Sequence, residues 1–235
     1  PDSFGGDVTI FAWIRNAPNS DHDSWARVLD LGNGAPGNNI LLSHLGTSGR
    51  LGYQVYVGDK QLPTPPSIES RDEIPEGEWL QVVVVQNGTR ASMYWRNQSS
   101  TVLDLQASGD VLQPSINVHR ESNFIGVSNW AADAEFQGDI ASVRVYNRAL
   151  LNSEVIALSQ IPAPSQVTMF KSAASIPVTG GLNLCTGPSP GPTTIVPVTI
   201  ATQNLSSTIQ DELLGLDLEF TRHDMYVRSI VLSQI

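Results

Sequence analysis

Two carboxylate pairs are spaced as paired-acid chemistry requires: Asp133 with Glu135, followed by Asp139, and Asp217 with Glu219. Cleaving a glycosidic bond takes one acid to protonate the leaving oxygen and a second, about 5 to 9 Å away, as base or nucleophile. Alternation along a strand puts both acids of an Asp-x-Glu pair on one face. The same spacing is common on solvated strands, and no denser cluster exists. There is no Gly-x-Ser-x-Gly elbow, no His-Glu-x-x-His and no phosphate loop. The four histidines, His22, His44, His119 and His223, are scattered without metal-ligand spacing. These residues lead us to expect a protein that is not an enzyme.

Oxygen-rich loops suggest binding instead. A hard cation such as calcium takes carboxylates and loop carbonyls. The candidates are Asp30 with the Gly-rich loop at Asn33, and Asp133 in the loop after Trp130. The competing reading is that Asp30 and Asn33 make turn hydrogen bonds. Sugar recognition needs exposed aromatics beside polar loops. Trp130, next to Asn129 and Asp133, and Trp25, beside His22, Asp23 and Ser24, have that setting. The competing reading has Trp130 plugging the end of a sandwich. Tyr53 and Tyr56 point to opposite faces of one strand, so at most one is exposed. Asn87-Gly88-Thr89, Asn97-Gln98-Ser99 and Asn204-Leu205-Ser206 have the form of N-glycosylation acceptors. Pro63-Thr64-Pro65-Pro66-Ser67 and the cluster at 187–192 are candidate segments for O-glycans or modified prolines.

Charge narrows the partners. Among 235 residues, 23 acids oppose 13 bases, for a formal charge of −10. Such a field repels phosphate backbones and anionic membrane surfaces, so nucleic acid is not an expected partner. No run approaches the ~20 apolar residues of a membrane span, so membrane insertion is not expected. A single cysteine, Cys185, cannot close an internal disulfide; it is either a small buried residue or a link to another chain. The chain begins at Pro1 without a signal peptide, and we expect it to be processed or a fragment.

The elements that must position these residues are mostly strands. Asp7 to Arg15 is apolar on both faces, as for a central strand of a sandwich. Trp25 to Leu31, Asn39 to Leu45, Arg50 to Val57, Trp79 to Gln86, Phe124 to Val127 and Ile140 to Tyr146 follow, and Ala91, Met93 and Trp95 share one face of another strand. Trp13, Trp79 and Trp95 are expected in the core. Gln86-Asn87-Gly88-Thr89 reads as a tight hairpin. A short helix near 153–159 is expected, capped by Asn152 or Ser153 and docked through Val155, Ile156 and Leu158. After Ile161 the composition changes. Pro162-Ala163-Pro164-Ser165 looks like a linker, and breakers at 187–192 divide the runs Val167 to Phe170, Thr194 to Thr202, Leu213 to Thr221 and Met225 to Leu232. We therefore expect an all-β chain: an antiparallel β-sandwich over 1–161 and a β-rich tail over 162–235. Ile156 to Ile161 is nearly repeated as Ile230 to Ile235.

The order of blocks over the first 160 or so residues resembles the laminin-G-like, concanavalin-A-like family of jelly rolls. The blocks are Val8 to Arg15; Arg27-Val28-Leu29-Asp30-Leu31-Gly32-Asn33-Gly34 with Asn39-Ile40-Leu41-Leu42; Gly77 to Val84; and Phe124-Ile125-Gly126-Val127-Ser128-Asn129-Trp130 with Phe136 to Leu150. The tail resembles nothing comparable. The resemblance implies a two-sheet jelly roll, with calcium at one rim in some members. Hydrolase relatives carry alternating acids of the form Glu-x-Asp-x-x-Glu, which this chain lacks.

The resulting expectation is an extracellular, secreted or cell-surface glycoprotein that acts through surface contacts. Its partners would be other copies of itself, assembled into a fibre or coat by strand pairing through the tail, or neighbouring extracellular domains. The alternative is a carbohydrate-binding module of a larger secreted protein.

Overall fold

A computed structural model describes residues 5–18, 24–58 and 66–164, together with the backbone of 184–186 and 225–227. Ten strands build the sandwich: β1 (Val8–Asn16), β2 (Arg27–Gly32), β3 (Ile40–His44), β4 (Arg50–Val55), β5 (Ser67–Glu73), β6 (Leu80–Asn87), β7 (Arg90–Asn97), β8 (Asp104–Asp110), β9 (Ser122–Ile125) and β10 (Gly138–Tyr146). A helix, α1 (Asn152–Leu158), follows, and the tail contributes β11 (Leu184–Thr186) and β12 (Met225–Val227). One sheet runs β10-β1-β6-β7-β8 and the other β11-β12-β9-β2-β3-β4-β5, with antiparallel pairing in both. This is the expected jelly-roll sandwich.

The period-2 pattern explains how the sheets close on each other. Ile10, Ala12 and Ile14 of β1 point between the sheets, where they meet Leu29, Leu31, Leu42, Tyr53, Val82, Val84, Met93 and Trp95. Phe11 and Trp13 point the other way, into a second cluster with Trp79, Val83, Tyr146, Leu150, Val155 and Leu158. β1 is thus buried on both faces because α1 and its flanks cover the outer side. Trp13, Trp79 and Trp95 are all core, as expected, but Trp13 and Trp79 lie under the helix and only Trp95 lies between the sheets.

Two details of the helix differ from expectation. Its first cap is Leu151, whose backbone N–H donates to Glu154 Oε2 at 2.7 Å, so neither Asn152 nor Ser153 caps it. Both Glu154 oxygens also accept from Arg148, at 2.7 and 2.8 Å. Because the helix starts there, Val155 and Leu158 face the sheet while Ile156 stays 56% exposed.

Strands β5 and β8, absent from the expected set, are the outer edges of the two sheets. They carry charges where central strands carry apolar residues, a common protection of free edges. Arg71 of β5 reaches across to Asp104 of β8 at 2.6 Å, and the Asp72 N–H donates to Gln106 Oε1 at 3.3 Å. At the opposite end of the seven-stranded sheet, the tail backbone continues the ladder. Cys185 stands opposite Tyr226, and Val227 stands opposite Ile125 of β9. The runs at 167–170, 194–202 and 213–221 lie outside the described residues.

Candidate functional site: an aromatic rim around Arg27

Arg27 opens β2, whose remaining residues are apolar or glycine apart from Asp30. A bulge between Arg27 and Leu29 in the β2–β3 pairing sends both Val28 and Leu29 into the core. Arg27 and Asp30, which would alternate in a regular strand, therefore emerge together on the outer face. Two residues earlier, Trp25 has φ +62, a left-handed backbone that a bulky side chain rarely adopts. Arg27 Nη1 donates to the Trp25 carbonyl at 2.8 Å, which holds that turn.

The loop after β9 folds across this face. Gly126, at φ +76, starts the excursion. The Asn129 N–H donates to Asp30 Oδ2 at 2.8 Å, and Asn39 Nδ2 donates to Asp30 Oδ1 at 2.7 Å. Arg27 Nη2 donates to Asp133 Oδ2 at 2.7 Å, and the Ser128 hydroxyl donates to the same oxygen, also at 2.7 Å. The Ala134 N–H returns to the Ser24 carbonyl at 3.2 Å, tying the loop to the Trp25 turn. The Arg27 guanidinium lies over both indoles, 6.0 Å from the Trp25 centroid and 5.3 Å from that of Trp130. Tyr56, just past the end of β4, meets Trp130 at 5.3 Å with the rings tilted by 49°. All three aromatics are half-buried.

Burial governs the electrostatics. It pushes the Asp30 carboxyl above its ordinary range, partly offset by the Asn129 N–H, the Asn39 amide and Arg27. It lowers the Arg27 guanidinium, partly offset by Asp133 and Asp30. It also raises the Tyr56 hydroxyl, against the pull of Arg27. A buried guanidinium shared by two carboxylates is stable only as a set, because removing one member strands the others.

Asp30, Asn33 and Asp133, the calcium candidates, do not converge as an ion cage. Both Asp30 oxygens accept hydrogen bonds, and Arg27, already a cation, binds Asp133 and lies 4.0 Å from Asp30. Asn33 is spent elsewhere: its Oδ1 accepts from the Glu121 N–H and its Nδ2 donates to the His119 carbonyl, both at 2.7 Å. That is the turn role weighed against the metal. Among the described residues, no group of three or more His, Cys, Asp or Glu side chains could hold a metal.

The expected acid pairs do not converge either. Asp133 and Glu135 lie in the loop rather than on one strand face, and Asp139 of β10 pairs with Arg15 at 2.6 Å. Asp217 and Glu219 lie outside the described residues, as do His22, Asp23, His223 and the sequon at Asn204. His44 is buried against Phe136, with ring centroids 5.6 Å apart, and His119 pairs with Glu121 at 3.2 Å. Asn87 is exposed at the mouth of the β6–β7 hairpin, opposite Arg90. Asn97 is half-buried, and its Oδ1 accepts from Ser99 and Ser100 at 2.9 and 3.0 Å.

Of the residues proposed for sugar binding, Trp25 and Trp130 do come together, through Arg27. Asn129 serves the loop instead, its Nδ2 donating to the Ser122 carbonyl at 3.0 Å. Arg27 and Tyr56 were not anticipated as site residues. The available signals were a lone arginine heading a mostly apolar strand and the alternation that turned Tyr56 away from buried Tyr53.

Two antiparallel sheets packed face to face define the class of the fold. The family model of the concanavalin A-like lectin/glucanases superfamily matches residues 2–156, and the chain belongs to that superfamily. Among solved structures it is similar to the carbohydrate-binding module CBM40 of the Ruminococcus gnavus IT-sialidase, bound to α2,3-sialyllactose. The TM-score is 0.50 at 15% identity, covering 67% of this chain and 84% of that one. A native heptameric SAP-like pentraxin from Limulus polyphemus gives 0.47 at 16% identity, covering 67% and 71%. At these identities the likenesses show the fold alone. No curated protein matches the chain.

Proposed function

We propose that the chain is a non-catalytic, extracellular carbohydrate-binding module whose ligand site is the rim of Trp25, Tyr56 and Trp130. One observation carries this reading: three half-buried aromatics converge around a fixed polar cluster, on a sandwich of the lectin/glucanase superfamily. Sugar rings present flat C–H faces to aromatic surfaces and hydroxyls to fixed carboxylates, and this rim offers both. Asp30, Asp133 and Asp139 support a binding role over a catalytic one, since each is committed to an arginine or a structural hydrogen bond. Glycans carried at Asn87 and Asn97 are part of the same extracellular reading. A glycan array probed with the full chain and with Trp130→Ala tests it. Wild-type binding that the variant loses supports it; an array blank for wild type overturns it.

A second reading, an extracellular structural or adhesion subunit that assembles through its tail, is favoured by the strand ladder. The backbone of Met225–Val227 lies beside β9. A segment able to add to this edge in its own chain has the chemistry to add to a neighbour's. Strand exchange that does not close into a ring would give fibres or coats. Deleting residues 224–235 is then expected to reduce assemblies to monomers in light scattering. Particles of unchanged size would remove this reading.

A further inference from the structure

We infer that the rim selects uncharged sugar residues and excludes acidic ones such as sialic and uronic acids. This rests on the glycan-binding reading above. A site for an anionic sugar needs a cation free to pair with it. Among the described residues the cation at this rim is Arg27, and it is already committed. Its side chain is 4% exposed, it donates to the Trp25 carbonyl and to Asp133, and it has Asp30 at 4.0 Å. The two indoles lie over the guanidinium. A ligand carboxylate would have to displace Asp133 or the Trp25 carbonyl and enter a low-dielectric pocket.

Charge balance points the same way. One guanidinium against two carboxyl groups leaves the cluster no net positive charge to attract an anion. Of the two acids, Asp133 is the more open, with 14% of its side chain exposed against none for Asp30, so an incoming anion meets Asp133 first. Aromatic faces carry the negative lobe of the ring quadrupole and repel anions as well. The formal charge of −10 on the whole chain adds a long-range term of the same sign. A neutral pyranose avoids all of these penalties. Its C–H face covers Trp130, Tyr56 and Trp25, and its hydroxyls donate to Asp133 without needing an unpaired cation.

The test uses the full chain against matched glycans that differ only in carrying, or lacking, one sialic or uronic acid. The neutral member of each pair should bind about tenfold or more tightly than its acidic partner, because like-charge juxtaposition is costly. Equal binding, or binding of acidic members alone, would overturn the exclusion while leaving a glycan-binding protein. Binding of neither member would overturn the glycan-binding reading and this inference together.

Discussion

Replacing Arg27 with alanine should destabilise the fold by about 3–5 kcal/mol near neutral pH, the cost of removing one member of a buried ion set. Asp30, fully buried, and Asp133 would lose their shared cation. The pH dependence follows from the direction of the Asp30 shift. Its folded-state pKa already lies above the unfolded value because of burial, and the loss of Arg27 raises it further. A carboxyl displaced upward favours the fold only when protonated, so the ionised form penalises folding at neutral pH. The deficit of Arg27→Ala should therefore be largest above the folded pKa and shrink as the pH falls toward the unfolded value. Urea midpoints measured across the acid range check this. A deficit independent of pH would mean that Arg27 acts by packing against Trp25 and Trp130 and not by charge.

Gly138→Ala should cost as much for an unrelated reason. Gly138 starts β10 with φ +151, and a Cβ there would sit 2.0 Å from the Arg15 carbonyl oxygen on β1. Backbone cannot yield as a side-chain tip does, so the β1–β10 register must shift. Strain and overpacking together amount to about 2–5 kcal/mol. Gly88→Ala is the control. Gly88 has φ +58 but nothing within 4 Å of its Cβ position, so only the conformational penalty of about 1 kcal/mol applies. Equal losses in the two variants would show that the close approach to Arg15 contributes nothing.

Much of the sandwich was legible because its central strands are periodic. The doubly apolar Val8–Arg15 run announced a strand buried on both faces, and the Gly88 turn announced its hairpin. β5 and β8 were not legible because Ser67–Glu73 and Asp104–Asp110 are edge strands with mixed polarity, and their strand character comes from the neighbours they pair with. The helix was placed correctly, but its start was not, since the cap is made by Glu154 reaching back to the Leu151 N–H rather than by a side chain at the cap position. The site was half legible. Trp25 and Trp130 lie far apart in sequence, and only the Arg27 bulge and the loop at 126–136 bring them to one place. Asp30 and Asp133 read as metal ligands because a list of acids does not show which cation lies between them; here it is a guanidinium supplied by the chain itself.

The most direct test of the glycan-binding role is a calorimetric titration of the best neutral array ligand into the wild type and into Trp130→Ala, with melting curves confirming that both are folded. Saturable binding by the wild type, weakened about tenfold or more in the variant, corresponding to about 1.4 kcal/mol, is the predicted result. Equal affinity in the two proteins would contradict a ligand site at the Trp25, Tyr56 and Trp130 rim.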